Sequence, residues 1–317
     1  MSAQSHPRTL LVTGATGFVG RALFRALLRE PCNRVRLLSR RPMDGAGVTP
    51  RVEVVRGDVR HPGTSARALR GVDTAYYLIH SLAEPGFREK ELAAARTFAR
   101  AAEAADVRQL IYLGALGDPS MPRSPHVESR QATGEALREG RVPVTELRAA
   151  AIIGAGSAVF EMIRGFTERF PLIISPRGGD TRCQPIALSD ALRYLLAPLD
   201  TPLLVGHIWE MGGDEVLTYR EMMETYAQVR GLVRPVLRMP VAVPRLSGLW
   251  TGLFSPIPKR VGEHFVRGLG HDAVVRDPRL RELLGIEHHL GFRDALRCAF
   301  QEADEAMQAS HVPVGGL

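Results

Sequence analysis

The sequence predicts an α/β fold: a doubly wound parallel sheet followed by a smaller, mostly helical C-terminal lobe. Three observations carry that prediction. Short apolar runs alternate with segments of helical periodicity over about the first 150 residues, and a glycine-rich turn joins the first run to the first helix. The third is composition: 317 residues, 45% apolar and 24% charged, supply a sizeable core and exclude disordered, collagen-like and coiled-coil chains.

The first strand is read at Thr9–Thr13 (TLLVT), and Phe18, Val19, Ala22, Leu23, Ala26 and Leu27 then recur at helical spacing. Residues 35–38 make a second buried strand, 52–55 a third and 74–79 a fourth, each set off by a turn or a helical segment. The alanine-rich stretch 87–105 carries Leu92, Ala95, Phe98, Ala99 and Ala102 on one face, which marks an amphipathic helix. Residues 110–113 are a fifth strand, 128–139 a helix and 144–147 a sixth strand. Such alternation implies right-handed crossovers and a parallel sheet covered on both faces. After about residue 155 it loosens into a helix over 159–170, a turn-rich stretch at 175–181, an apolar 185–188 and a helix over 189–196, so the sheet is expected to end there. Prolines at 235, 240, 244, 256 and 258 break the chain before helices resume over 261–269 and 293–307.

Charge and cysteine usage remove several function classes. The formal charge is +7, but basic residues are scattered among acids and form no block, which argues against a nucleic-acid partner. Lys90 and Lys259 are the only lysines against 39 arginines, so a single arginine is weak evidence of function here. No apolar run approaches the ~18 residues of a membrane span, and residues 1–8 lack a signal-peptide stretch. Cys32, Cys183 and Cys298 are odd in number, widely spaced and free of any C-x-x-C, which fits thiols in a reducing compartment and no zinc site. A cytoplasmic protein is expected.

The motif that carries chemistry is Gly14-Ala15-Thr16-Gly17-Phe18-Val19-Gly20, placed between strand one and helix one. Gly14 permits the tight turn out of the strand, Gly17 lets backbone amides approach a pyrophosphate, and Gly20 lets the helix pack closely on the sheet. The helix start, with Thr16, Phe18 and Val19 in the contact set, then offers unpaired N–H donors and a partial positive charge to phosphates. This is a Rossmann dinucleotide loop, and a Rossmann domain over 8–200 with a partly interleaved C-terminal lobe over 201–310 is expected.

The dinucleotide is read as NADP rather than NAD. An NAD site places an acid about 20 residues past the first glycine to accept from the ribose 2′-hydroxyl. Between Glu30 and Asp44 there is none, and strand two ends in Ser39-Arg40-Arg41, where guanidinium and hydroxyl groups can hold a 2′-phosphate. At the end of strand three, Asp58 can accept from the adenine amino group while Val59 packs on the ring; an Asx turn is the alternative.

With LVTGATGFVG at 11–20, VVRGDVR at 54–60, AYYLIHSL at 75–82, HVESRQATGEALR at 126–138, RCQPIALSDAL at 182–192 and LTYREMM at 217–223, the chain resembles the atypical, extended-type short-chain dehydrogenase/reductases. Within them it is similar to YbjT-like and NmrA-like NAD(P)-binding proteins. The resemblance implies that Leu78, Ile79 and His80 pass beneath the cofactor riboses. Active members use a Tyr-x-x-x-Lys pair and a serine near the end of strand five. This chain reads His126 and Arg130 in place of the pair and Leu113-Gly114-Ala115 in place of the serine. An imidazole can still act as acid or base and Arg130 can still bond ribose hydroxyls, so these two are the catalytic candidates, with Arg130 also touching cofactor.

The resemblance also puts Arg148, Glu161, Arg182 and Gln184 on stretches that line the substrate cleft, where a Glu161–Arg182 pair competes with the commoner helix-face salt bridges. Cys183 has no adjacent histidine to make it a nucleophile, and His288 and His289 diverge on any regular element, so no metal site is expected. Leu249, Trp250, Leu253 and Phe254 are read as closing a substrate or partner groove. Two functions follow: an NADP-dependent oxidoreductase acting on a small carbonyl or quinone-like molecule, or a non-catalytic NADPH-holding redox sensor or assembly factor with a protein partner.

Overall fold

The computed structural model describes residues 7–43, 49–80, 87–117, 124–175, 180–238 and 272–310. The six strands read from the sequence are β1 (Thr9–Thr13), β2 (Arg34–Ser39), β3 (Val52–Arg56), β4 (Thr74–Tyr77), β5 (Gln109–Ala115) and β6 (Val144–Ala149). All pair in parallel. Four short strands follow: β7 (Ile152–Ile153), β8 (Ile173–Ser175), β9 (Arg182–Cys183) and β10 (Ile186–Ala187).

The expected end of the sheet before residue 200 is corrected by β11 (Ile208–Met211), which adds in parallel to β6 as a seventh strand. Its four residues, IWEM, are too few and too mixed to show an alternation. Position decides: Trp209 and Met211 are buried, and the Trp209 indole N–H donates to the Leu204 carbonyl at 3.0 Å. The strand order is β11-β6-β5-β4-β1-β2-β3. β12 (Leu217–Thr218) pairs with β9, and β13 (Val236–Arg238) with β8, outside the main sheet.

Helices cover both faces of the sheet. On one side α1 (Phe18–Leu27) and α6 (Leu188–Leu196) bury Leu23, Leu27, Tyr194 and Leu195 against Leu10, Val12 and Ile111. On the other, α2 (Pro62–Leu69), α3 (Phe87–Ala104) and α4 (Pro125–Arg138) bury Leu69, Ala95, Phe98 and Leu137 against Leu11, Tyr77 and Leu110. A third cluster joins α5 (Ala158–Arg169), α7 (Tyr219–Val229) and the last helix, Phe292–Ser310, through Phe160, Tyr226, Phe292 and Leu296. With α8 at Arg279–Leu283, that last helix is α9.

Local chemistry sets the helix ends. α4 starts three residues before the sequence reading because Ser124 caps it, accepting from the Val127 N–H at 3.3 Å, while Pro125 occupies the first turn where its lacking N–H costs nothing. That extension places His126 in the first turn, directly after Pro125. α7 opens on a reciprocal capping box between Thr218 and Glu221. The expected helix over 261–269 and the apolar residues Leu249, Trp250, Leu253 and Phe254 lie outside the described residues.

Candidate functional site

The strand order reverses between β1 and β4, so the connections leaving them depart for opposite faces and open a crevice above their carboxyl ends. The glycine loop stands on one wall and Leu78–Ile79–His80 on the other. Gly14 has φ +68°, and a Cβ there would lie 2.7 Å from the Leu78 carbonyl oxygen, so glycine alone serves both the turn and the close approach. The Gly17 N–H donates to the Gly14 carbonyl at 2.9 Å, closing the loop. A Cβ on Gly20 would overlap that same carbonyl, which is why α1 can start so near the strand.

α1 begins at Phe18 with Gly17 as N-cap and no side chain capping it. Its first-turn amides have no acceptor inside the helix and face the crevice with the positive end of the helix dipole. A cradle of bare amides with no side chain over it fits a diphosphate.

The crevice is a cleft of about 480 Å³, and Gly14, Thr16, Gly17, Phe18, Val19 and Gly20 line it. Along one wall stand Ser39, Arg40, Asp58 and Val59; Leu78, Ile79, His80, His126 and Arg130 line it as well. The sequence reading therefore converges on one cavity, with one exception. Arg41 is not among the lining residues: its backbone N–H and C=O are both tied to the Ser39 hydroxyl, at 3.2 and 2.8 Å, in a tight local turn. Arg40 is exposed at the cleft wall.

Asp58 takes the second of the two arrangements considered from sequence. It makes an Asx turn, accepting from the Arg60 N–H at 3.0 Å, and its second oxygen pairs with the Arg60 guanidinium at 2.6 Å. Partial burial pushes its carboxyl up, but the Arg60 hydrogen bonds and the Arg60 and Arg40 charges outweigh that and hold it below the usual carboxylate value. It is an acceptor in the pH range of interest.

At the other end of the cleft His126 stands in the first turn of α4, and its ring meets His80 edge to face, with centroids 5.0 Å apart at 62°. Arg130, one turn further on the same face, is buried; its guanidinium donates to the Leu113 carbonyl and lies 5.1 Å from the centroid of the Tyr112 ring. Strand five carries Gly114 at this level because a Cβ there would lie 2.8 Å from Glu146 Oε1. Neither nearby tyrosine replaces the family phenol. Burial pushes Tyr112 up to about 12, against the pull of Arg130, and its hydroxyl donates to the Arg130 carbonyl at 2.7 Å. Burial pushes Tyr77 above its usual range too, and both stay neutral.

The polar candidates after β6 are corrected. Glu161 pairs with Arg164 at 3.5 Å and Arg182 with Asp272 at 2.7 Å, so the two do not meet. Glu161 finds its partner one turn on in its own helix, and Arg182 finds its own beside the bridge between Cys183 and Ala273. Arg148 joins Arg138 on the fully buried Glu146, 2.7 Å from its Oε1, and Gln184 bonds the Gly213 carbonyl at 2.6 Å. None of the four lines the cleft. That wall is instead Ala149, Ala150, Ile152, Ala158 and Val159 with Ser157, residues the sequence reading passed over for lack of reactive groups.

Cys183 is fully buried, and burial pushes its thiol up to about 12, more than the Tyr219 contact lowers it. At neutral pH that thiol stays protonated. A water-soluble maleimide is expected to label the exposed Cys298 and leave Cys183 unmodified until the protein unfolds, as read by peptide mass; native labelling of Cys183 at the Cys298 rate contradicts this. His288 and His289 differ in burial but face the same carboxylate: His288 is exposed, 3.9 Å from Asp214, while His289 is buried between Asp214 (2.7 Å) and the Tyr194 hydroxyl (2.8 Å), tying α6 to the chain before α9. No group of three or more metal-ligating side chains occurs among the described residues.

Comparison with known proteins agrees with this geometry. Residues 14–152 match a family model described as NAD(P)H-binding. The chain is 30% identical over 234 residues to ceramide reductase of Caulobacter vibrioides, covering 72% of this chain and 73% of that protein. It is 29% identical over 263 residues to (4-alkanoyl-5-oxo-2,5-dihydrofuran-3-yl)methyl phosphate reductase of Streptomyces griseus, covering 81% and 85%. In fold it is similar to a Bacillus cereus UDP-glucuronic acid 4-epimerase solved with UDP-glucuronic acid and NAD (TM-score 0.72, 15% identity, 94% of this chain and 99% of that one). It is likewise similar to a short-chain dehydrogenase/reductase superfamily protein of Agrobacterium tumefaciens with bound NAD (TM-score 0.68, 20% identity, 95% and 99%).

Proposed function

Because this chain belongs to the atypical, extended-type short-chain dehydrogenase/reductases, among their NmrA- and YbjT-like NAD(P)-binding members, we propose that it is an NADPH-dependent reductase of a small carbonyl or quinone-like molecule. One observation carries the reading: a single cleft joins a bare-amide phosphate cradle at one end to His126 and Arg130 at the other, beside an apolar wall.

The first-turn amides of α1 hold the diphosphate, Val59 packs on the adenine and Asp58 accepts from its amino group. Arg40 binds the 2′-phosphate. When bound, the dinucleotide supplies a hydride. Arg130 donates to the ribose hydroxyls, and His126 gives a proton to the substrate oxygen as the hydride reaches the adjacent carbon. The alanines, Ile152 and Val159 exclude water and accept an apolar substrate body. The names of the two curated relatives, both reductases, support this direction of reaction.

Two absent side chains favour a second reading. Without the Tyr–Lys pair the cleft is also what a non-catalytic NADPH-holding sensor or assembly factor retains. NADPH oxidation followed at 340 nm with a panel of aldehydes, ketones and quinones separates the two: turnover above the uncatalysed rate excludes the sensor, and binding without turnover excludes the reductase.

Cofactor choice has its own test. A guanidinium–phosphate hydrogen bond is worth about 1.5–3 kcal/mol, or roughly 10- to 100-fold in affinity. NADPH is therefore expected to raise the melting temperature more than equimolar NADH, and Arg40→Ala to remove the difference while leaving the NADH shift. An equal or reversed shift in the native protein contradicts NADP preference.

A further inference from the structure

The inward face of α3 holds one residue that its own periodicity does not explain. Ala94, Ala95, Phe98, Ala101 and Ala102 lie buried against the sheet, and one turn earlier on the same stripe the residue is Glu91, only 6% exposed. An alanine-rich helix packs that position better with an apolar side chain, and burying a carboxylate costs several kcal/mol unless partners hold it.

Glu91 has such partners, and they come from the cleft. Its Oε2 accepts from the Ser129 hydroxyl at 2.8 Å, and its Oε1 lies 3.4 Å from His80 Nδ1. Ser129 and His126 share a face of α4 at i and i+3, and His80 in turn touches the His126 ring. A buried carboxylate, an imidazole and a second imidazole thus form one continuous line from α3 to the reactive end of the cleft, and all three residues line it.

We propose that Glu91 and His80 are positioning residues that supply His126 with its proton, work that the Tyr–Lys pair performs in other members; this rests on the reductase reading above. Glu91 holds His80 in the tautomer with hydrogen on Nδ1, which leaves Nε2 as the ring atom that takes up and releases protons. In a reduction the substrate C=O π bond breaks. Its carbon gains the hydride pair from the reduced dinucleotide, and its oxygen gains the proton as an N–H bond of protonated His126 breaks. Neutral His126 is reprotonated from His80, and His80 from solvent water, for which its 28% side-chain exposure leaves access. Ser129 fixes the Glu91 carboxylate rather than donating to the substrate.

Among the described residues, the charged or titratable groups that line this end beside His80 are Tyr77 from β4, Lys90 and Glu91 from α3 and His126 and Arg130 from α4. Among them Glu91 is the only carboxylate, so its removal has a signed effect. In protein labelled with ¹³C-histidine, the His80 signal, assigned by its loss in His80→Asn, is expected to titrate about one pH unit lower in Glu91→Gln than in the native chain, a tenfold loss of proton affinity. Glu91→Asp is expected to recover part of the shift. With NADPH and any acceptor from the panel that turns over, Glu91→Gln is expected to lower the rate at pH 8 roughly 10- to 100-fold and at pH 6 much less, without changing NADPH affinity.

An unchanged His80 titration in Glu91→Gln, or a rate loss equal at both pH values, overturns the relay and leaves Glu91 a packing residue. The NMR arm needs neither cofactor nor substrate. Failure of the native protein to bind NADPH or to turn over defeats the reductase reading, while the His80 titration still reports on the Glu91–His80 pair. A Glu91→Gln chain that does not fold is replaced by Ser129→Ala, which loosens the same carboxylate and is expected to shift His80 in the same direction by less.

Discussion

Gly17→Val is expected to abolish stabilisation of the protein by NADPH while leaving the free protein folded. Gly17 sits at φ −75°, ψ 169°, an extended conformation that valine adopts readily, so the substitution asks for no backbone strain. Its Cβ would lie 3.1 Å from the Gly14 carbonyl oxygen, close enough to need only a small adjustment. The two methyl groups, however, project over the first-turn amides of α1, where the diphosphate must rest. At a hundred times its dissociation constant a ligand stabilises the native state by about 2.7 kcal/mol, several degrees in melting temperature for a chain of this size. That rise is expected in the native chain and absent in the variant. A variant that keeps the full rise places the phosphates elsewhere.

The second large effect belongs to His126. Positioned proton donors contribute about 10²–10⁴-fold to rate. His126→Ala is expected to lower kcat by that factor with NADPH affinity within about twofold of native, because the ring stands at the reactive end of the cleft and not among the phosphate or adenine contacts. His126→Tyr is the informative companion. It restores the phenol of other members beside Arg130 rather than lysine, and a guanidinium held charged cannot relay a proton as an ammonium does. Its rate is expected to stay well below native. A His126→Ala protein as fast as native assigns proton delivery to another group.

Much of the fold was legible because most of its parallel strands are buried on both faces and leave short runs rich in apolar residues, and all six segments read as strands proved to be strands. β11 was not, since Ile208–Met211 is held by its neighbour β6 and by the Trp209 anchor rather than by any pattern of its own. Thr218-Tyr-Arg-Glu221 did carry a local signal, the capping box of α7, that went unused. In the cleft, the glycine loop was readable because Gly14 and Gly20 answer to backbone constraints that fall within one motif. Glu91 was not, since its significance comes from His80 and Ser129, 11 and 38 residues away in sequence. The Glu161–Arg182 idea failed for the converse reason: spacing in sequence says nothing about which partner lies nearer, and Arg164 and Asp272 do.

Calorimetric titration of NADPH into the purified native chain tests the amide cradle most directly. Uptake of one equivalent is expected, with a dissociation constant on the order of 10⁻⁶ M, about −8 kcal/mol, and no measurable uptake by Gly17→Val. Absence of binding by the native chain up to millimolar nucleotide contradicts the cradle and every role assigned around it.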